Sequence, residues 1–239
     1  MKFRGDFQSD GLLIVEDMFQ GVELDEMRAQ VALLLSGETP MPASEIVHEP
    51  GSDPPRVRNV FRMHAYVEYF RSLASHAKMA GLMADLVGRP ARLYGSMIFA
   101  KPARVGTVVP WHQDMPYWPF APSELASAWI ALDDTRIENG CVRFLKGSHL
   151  LGMLPHEQSG VTGNSLRVSD SAVPDLPEVV VEVPRGSCVI HHCLTVHSSE
   201  PNRSEMDRRG LIYIYMSPNV YVTDASKLRG GTDFPVVAP

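Results

Sequence analysis

His112 and Asp114 stand two positions apart in the segment Trp111-His112-Gln113-Asp114. In an extended chain, residues two apart share a face, so one imidazole and one carboxylate aim into a common space. His197 lies 83 residues beyond Asp114, just after an apolar run, and offers a second imidazole. Two neutral imidazoles and one carboxylate on one face of a metal leave adjacent coordination positions open, the facial-triad arrangement of non-haem Fe(II) oxygenases. Those open positions suit a chelating co-substrate and O2.

The residues after His197 add a second feature. Pro201-Asn202 marks a turn, and an apolar strand at 211–216 follows Arg208-Arg209-Gly210. The strand is expected to fold back beside the one that carries His197, which brings Arg208 near the metal floor. A planar, permanently charged guanidinium is a natural bidentate partner for a buried carboxylate. A dicarboxylate such as 2-oxoglutarate would chelate iron at its 2-oxo acid end and meet Arg208 at the other. Arg209 is adjacent, and a one-residue slip would exchange the two.

Competing chemistry is weaker. Cys188, His191, His192, Cys193 and His197 form a cluster of zinc-type ligands, but a structural zinc site usually pairs two short ligand clusters, and a second is missing. His191 and His192 point to opposite faces of their strand, so at most one faces a pocket. His149 reads as a loop-structuring residue, and His48, His64, His76 and His156 belong to no constellation. A zinc hydrolase using His112, His197 and Asp114 is a further alternative.

The elements that must position these residues fall into two groups. Residues 11–16 read as a buried strand. Residues 22–36 and 68–87 read as helices, the first with Leu24, Met27, Val31, Leu34 and Leu35 on one face. The proline-rich stretch 38–60 reads as a long loop. From residue 91 onward, short apolar runs follow one another at 91–100, 126–132, 141–145, 178–183, 187–192 and 211–216, separated by turn residues. Helices first and many short strands after them predict an α+β protein built on an antiparallel β-sandwich or jelly roll. It is organised as a helix-rich N-terminal segment (1–90), a core (91–216) and a tail (217–239) within one domain 1–239. No GxGxxG or P-loop motif is present, and no repeat.

The composition agrees. With 239 residues and 44 % hydrophobic residues the chain can bury a sizeable core. A formal charge of −6 gives no electrostatic basis for nucleic acid or an anionic membrane as partner. Three cysteines make no disulfide scaffold. The chain has neither a membrane-length apolar run nor a secretory h-region near its start, so a cytoplasmic protein is expected. Oligomeric state is not legible. Of nine histidines, only His112 and His197 find a ligand role.

On DGLLIVEDMF, PWHQD, WIALDDTRIENGCVRFLKGSH and HSSEPNRSEMDRRG, the chain resembles the phytanoyl-CoA dioxygenase family of Fe(II)/2-oxoglutarate oxygenases, which includes ectoine hydroxylase. The resemblance implies a double-stranded β-helix, or cupin-like jelly roll, with N-terminal helices packed on one sheet. It implies His112, Asp114 and His197 as iron ligands and Arg208, 11 positions past the distal histidine, as the co-substrate's arginine. It also implies that Trp129 and Ser199 lie near the co-substrate. Related halogenases carry a small residue where Asp114 stands, so oxygenation rather than halogenation is implied. The reaction would hydroxylate an unactivated C–H bond of a small-molecule metabolite with release of succinate and CO2. Desaturation or ring closure at the same iron, and a non-catalytic metal-binding jelly-roll module, are the alternatives.

Substrate contacts are expected from Tyr117 and Trp118, which follow the ligand segment, from Met97 and Phe99 on one strand face, and from Arg62 and His64. Lys101 shares the face of Met97 and Phe99, and is expected either to pair with an anionic group of co-substrate or substrate or to snorkel to solvent. Arg56 and Arg58 would also suit an anion. The tail 217–239 either closes over the site or mediates dimerisation.

Overall fold

A computed structural model describes residues 1–239. The chain begins with β1 (Lys2–Asp6), a single helical turn α1 (Phe7–Asp10) and β2 (Leu12–Glu16), then α2 (Gly21–Leu35). A short pair, β3 (Ile46–His48) and β4 (Val57–Phe61), precedes three helices, α3 (Met63–Tyr66), α4 (Glu68–Leu73) and α5 (Ala77–Val87). Strands β5 (Ala91–Lys101), β6 (Val109–His112), β7 (Phe120–Ala121), β8 (Leu125–Ala131) and β9 (Val142–Leu145) follow. Then come β10 (His156–Val161), β11 (Asn164–Val168), β12 (Glu178–Val180), β13 (Cys188–His192) and β14 (His197–Ser199). The last strands are β15 (Arg208–Met216), β16 (Tyr221–Val222) and β17 (Val236–Ala238).

A nine-stranded sheet runs β1-β2-β13-β8-β15-β5-β4-β3, with β17 also on β5, and a four-stranded sheet runs β12-β9-β14-β6. The pairings are antiparallel. This is a jelly roll, one of the two antiparallel architectures that the sequence pattern allows and the one the family resemblance implies, with the helices on the larger sheet. No helix is long and apolar enough to cross a membrane.

The period of the strands divides the larger sheet into two faces. Leu211, Tyr213 and Tyr215 of β15, Ala126, Ala128 and Ile130 of β8, and Cys188 and Ile190 of β13 pack with Met27, Val31, Phe70, Met79 and Met83 of the helices. The intervening residues Ile212, Ile214, Ser127, Trp129, Val189 and His191 line a cavity on the opposite face. Both faces are buried, which is why these strands read as continuous apolar runs.

Some expectations need correction. The helix at 68–87 is two helices, interrupted at Ala74–His76. The carbonyls freed at the end of α4 are satisfied by buried phenols, Tyr213 Oη donating to Phe70 O at 2.9 Å and Tyr215 Oη to Ala74 O at 2.8 Å. The stretch 38–60 is not only loop, because β3 and β4 extend the edge of the larger sheet. There Arg58 and Glu49 form a buried ion pair at 2.9 Å. Nor does β15 fold back beside β14. The turn after Pro201 carries the chain across to the larger sheet, where β15 pairs with β5 and β8. The larger sheet also draws strands from both ends of the chain, so it is not confined to 91–216.

Candidate metal centre and co-substrate pocket

Strand β6 runs antiparallel to β14 with His112 opposite His197. That register sets the two imidazoles side by side, with ring centroids 4.1 Å apart. Asp114 follows β6 at the start of a 3-10 turn. Its N–H and that of Met115 donate to Cys193 O at 3.0 and 3.1 Å. The fully buried Gln113 ties the same turn to Leu194 O, Gly152 O and the Leu154 N–H. The ligand segment is thus clamped on both sides of Asp114.

Ligand atoms of His112, Asp114 and His197 all lie within 4.8 Å of one another. His112 Nε2 and His197 Nε2 are 3.8 and 3.7 Å from Asp114 Oδ1. Nδ1 of His112 donates to Pro110 O at 2.9 Å, and Nδ1 of His197 to Thr195 O at 3.0 Å. A carbonyl accepts only from N–H, so each ring is fixed with its Nε2 lone pair facing the centre. The other carboxylate oxygen, Asp114 Oδ2, accepts from His191 Nε2 and Ser127 Oγ, both at 3.0 Å. Oδ1 is left for a metal.

The electrostatics suit cation binding. Burial alone would raise the Asp114 carboxyl, but the surrounding His197, His191 and His112 outweigh it and hold the group well below the usual carboxylate range. Burial pushes the His112 and His197 imidazoles down, so both are neutral ligands near pH 7. Two imidazole nitrogens and one carboxylate oxygen, with open space on the cavity side, form a donor set that fits Fe(II).

The centre opens into a cavity of about 760 Å³ between the two sheets. Arg208 enters it from the first position of β15 and is 1 % exposed. Its Nη2 donates to Gly140 O at 2.8 Å, its Nε has no partner, and no carboxylate lies within ion-pair distance. An unpaired buried guanidinium is a rare and costly arrangement that a carboxylate ligand relieves. Trp129 lies under it, the guanidinium carbon 5.4 Å from the indole centroid. A side chain at Gly210 would run into that indole, so glycine here lets Trp129 lie across β15. Arg209 points the other way and pairs with Asp133 through Nε at 2.8 Å and Nη2 at 2.6 Å.

Ser199, Tyr117, Trp118, Met97, Phe99, His64 and Arg62 line the same cavity as the triad, Trp129 and Arg208. The Tyr117 ring stands edge-on to His112, and its hydroxyl is held by β11, accepting from the Leu166 N–H at 2.9 Å. His64 Nδ1 meets Ser96 Oγ at 2.9 Å, and burial with Arg62 and Arg71 nearby pushes the imidazole down to about 4. The tail also reaches the cavity, with Leu228, Arg229, Gly230 and Phe234 in its wall.

Lys101 is corrected on both counts. It neither lines the cavity nor snorkels. Fully buried, its ammonium donates to the carbonyls of Thr107, Glu200 (2.8 Å) and Ser199 (3.4 Å), which fastens β5 to the end of β14 and the approach to β6. Arg58 is likewise held by Glu49, and Arg56 by Asp207 at the surface. The zinc-type cluster does not assemble: Cys188 packs under the helices, Cys193 donates to Ser123 O, and His192 stacks by Phe7 and His149. Sequence reasoning missed Ser127, His191 as the partner of Asp114, and Gly210. The alternation of β8 and β13 places the first two on the cavity face once those strands are paired.

Residues 7–210 match the family model described as phytanoyl-CoA dioxygenase (PhyH). A probable alpha-ketoglutarate-dependent hypophosphite dioxygenase of Stutzerimonas stutzeri is 30% identical over 169 residues, 69% of this chain and 59% of that protein. An ectoine dioxygenase of Stutzerimonas stutzeri (strain A1501) is 26% identical over 228 residues, 87% of this chain and 74% of that protein. The match therefore spans between about three fifths and three quarters of these relatives' own lengths. Among solved structures, the non-heme alpha ketoglutarate dependent epimerase SnoN from nogalamycin biosynthesis superposes with a TM-score of 0.76 at 26% identity, covering 98% of this chain and 96% of that one.

Proposed function

The chain belongs to the phytanoyl-CoA dioxygenase family, and from that premise we propose an Fe(II)- and 2-oxoglutarate-dependent oxygenase that hydroxylates an unactivated C–H bond of a small molecule. One observation carries this reading: three converging metal donors share a cavity with a buried, unpaired guanidinium. Bound Fe(II), 2-oxoglutarate and O2 would supply the oxidising power, with succinate and CO2 as the co-substrate's products. His112, His197 and Asp114 would hold the ion through Nε2, Nε2 and Oδ1. Arg208 would take the distal carboxylate of 2-oxoglutarate, with Trp129 and Ser199 beside it. The apolar walls Ile212, Ile214, Val189 and Phe144 exclude water from the reacting centre. Tyr117, Trp118, Met97, Phe99, His64 and Arg62 would contact the substrate.

We read 1–239 as one oxygenase domain with a small-molecule partner, neither nucleic acid nor membrane, at work in the cytoplasm. Three buried free thiols are in keeping with a reducing compartment.

Anaerobic addition of Fe(II) and 2-oxoglutarate should give a weak visible charge-transfer band and raise the melting temperature. Succinate formation should require O2 and rise with a true substrate. His112→Ala should abolish iron binding. Absence of both the band and the thermal protection would overturn the proposal, and activity that persists without O2 would point to a hydrolase.

A second reading keeps the site and changes the outcome. SnoN, named an epimerase, is matched over nearly its whole length. Product mass separates the outcomes: hydroxylation adds one oxygen, ring closure removes two hydrogens, and epimerisation changes nothing.

A further inference from the structure

The outer region of the cavity carries charge that the metal centre does not use. Apart from Asp114 and Arg208, the charged side chains in its wall are Arg62, Arg71, Lys227, Arg229 and Asp233. Three of the four cations have acidic neighbours: Arg62 has Glu45 at 3.4 Å, Arg71 has Glu68 at 2.8 Å and Lys227 has Asp224 at 3.6 Å. Arg229 has none. Its guanidinium lies over the Phe61 ring, 5.6 Å from the centroid.

Arg62 follows Phe61, and Gly230 follows Arg229, so the end of β4 meets the tail residue by residue. The Arg62 guanidinium carbon is 3.4 Å from where a Cβ on Gly230 would stand. Arg62 and Arg229 therefore both line the edge of the cavity where β4 meets the tail. Tyr94 lines the same edge, its ring held edge-on by Trp118, Phe120 and Phe234. Burial raises its hydroxyl's pKa, while Arg229 and Arg62 oppose the rise, which places the phenol within their field. Two arginines on one wall, one of them without an ion-pair partner, beside a phenolic donor and apolar rings make a receptor for an anion.

We propose that Arg229, with Arg62 and Tyr94, forms an anion-binding subsite at the cavity mouth, and that the substrate carries a carboxylate or phosphoryl group there while its reacting carbon faces the metal. The placement of the reacting carbon rests on the oxygenase reading above; the subsite itself is tested without turnover.

The probe is a pair of dyes with one ring skeleton: anionic anilinonaphthalene sulfonate and neutral phenylnaphthylamine. Fluorescence titration uses the protein held anaerobically with Fe(II) and saturating 2-oxoglutarate. The sulfonate dye should bind more tightly than the neutral one. Arg229→Ala should weaken the sulfonate dye about tenfold, the loss expected for one charge-assisted hydrogen bond, and leave the neutral dye unchanged. Arg229→Lys should recover some of the loss. Octanoate or octyl phosphate should displace the sulfonate dye and octanol should not, and the better competitor of the two identifies the anion. Equal binding of both dyes, equal loss of both in Arg229→Ala, failure of both anionic competitors, or expulsion of the dye by 2-oxoglutarate would overturn the subsite. A protein that grips the sulfonate yet makes no succinate would overturn the oxygenase reading alone.

Discussion

Replacing Arg208 with methionine separates stability from co-substrate binding. Burial pushes the Arg208 guanidinium down to about 10 from its ordinary 12.5. At about 1.4 kcal/mol per pKa step, burying the charged side chain costs on the order of 3 kcal/mol. Arg208→Met removes that cost and keeps most of the volume. It also strips the Gly140 carbonyl of its donor, a loss of about 1–3 kcal/mol, and the indole of its cation, about 0.5–2 kcal/mol. These effects nearly cancel. The ligand-free variant should stay within about 1 kcal/mol of the original protein, a melting shift of no more than about 4 °C for a chain of this length. With Fe(II) and 2-oxoglutarate at about a hundred times its Kd, the original protein gains about 2.7 kcal/mol, whereas the variant gains only what the metal-bound end supplies. Anaerobic scanning calorimetry of both proteins, with and without 2-oxoglutarate, makes the comparison. If the ligand-free variant loses more than about 3 kcal/mol, Arg208 is a structural residue. If it keeps the full co-substrate shift, the carboxylate is held elsewhere.

Gly210→Ala should displace the Trp129 indole, lower stability by about 1–3 kcal/mol and raise the 2-oxoglutarate KM, read from melting curves and initial rates. A KM equal to that of the original protein would detach Trp129 from the co-substrate site. His191→Phe keeps the ring and removes the donor to Asp114 Oδ2, so metal affinity should fall about 10–100-fold in competition with a fluorescent chelator; unchanged affinity would mean that Ser127 alone orients the carboxylate. Burial pushes both His64 and His192 down to about 4, against about 6.5 in the unfolded chain. Between those values the unfolded chain binds more protons, so stability is constant above the window and falls as pH drops through it. Urea midpoints at pH values on either side should show the fall, and the double variant His64→Gln/His192→Gln should make it shallower, with the buried His112 and His197 supplying the remainder.

The convergence of the proposed metal ligands was legible because a two-residue spacing on an extended chain is a local property, and His112-Gln113-Asp114 states it outright. Arg208 against Arg209 was not, for a physical reason. On β15 the even positions Gly210, Ile212 and Ile214 face the cavity and the odd positions Leu211, Tyr213 and Tyr215 face the helices, yet both sets are apolar. A strand buried on both sides carries no parity signal. An antiparallel sandwich or jelly roll followed from the run of short strands, but the sheet that β15 joins depends on a crossover that no local pattern encodes. The place of Lys101 was hidden because strand alternation fixes a face and not what waits there, and two of its three carbonyl partners, Ser199 and Glu200, come from about a hundred residues further along the chain. The break at Ala74–His76 was hidden for the same reason, since Tyr213 and Tyr215 cap it from far along the chain.

The proposed metal ligands His112 and His197 stand on the four-stranded sheet and Arg208 on the nine-stranded one. A molecule chelated at one end and ion-paired at the other would therefore be a tie-rod between two walls joined otherwise by crossing loops and side-chain contacts. Loading it would suppress the openings in which the walls separate, and those openings are what a protease attacks. The lifetime of this protein inside a cell would then rise and fall with the supply of 2-oxoglutarate, so that scarcity of the co-substrate thins out the catalyst as well as starving it.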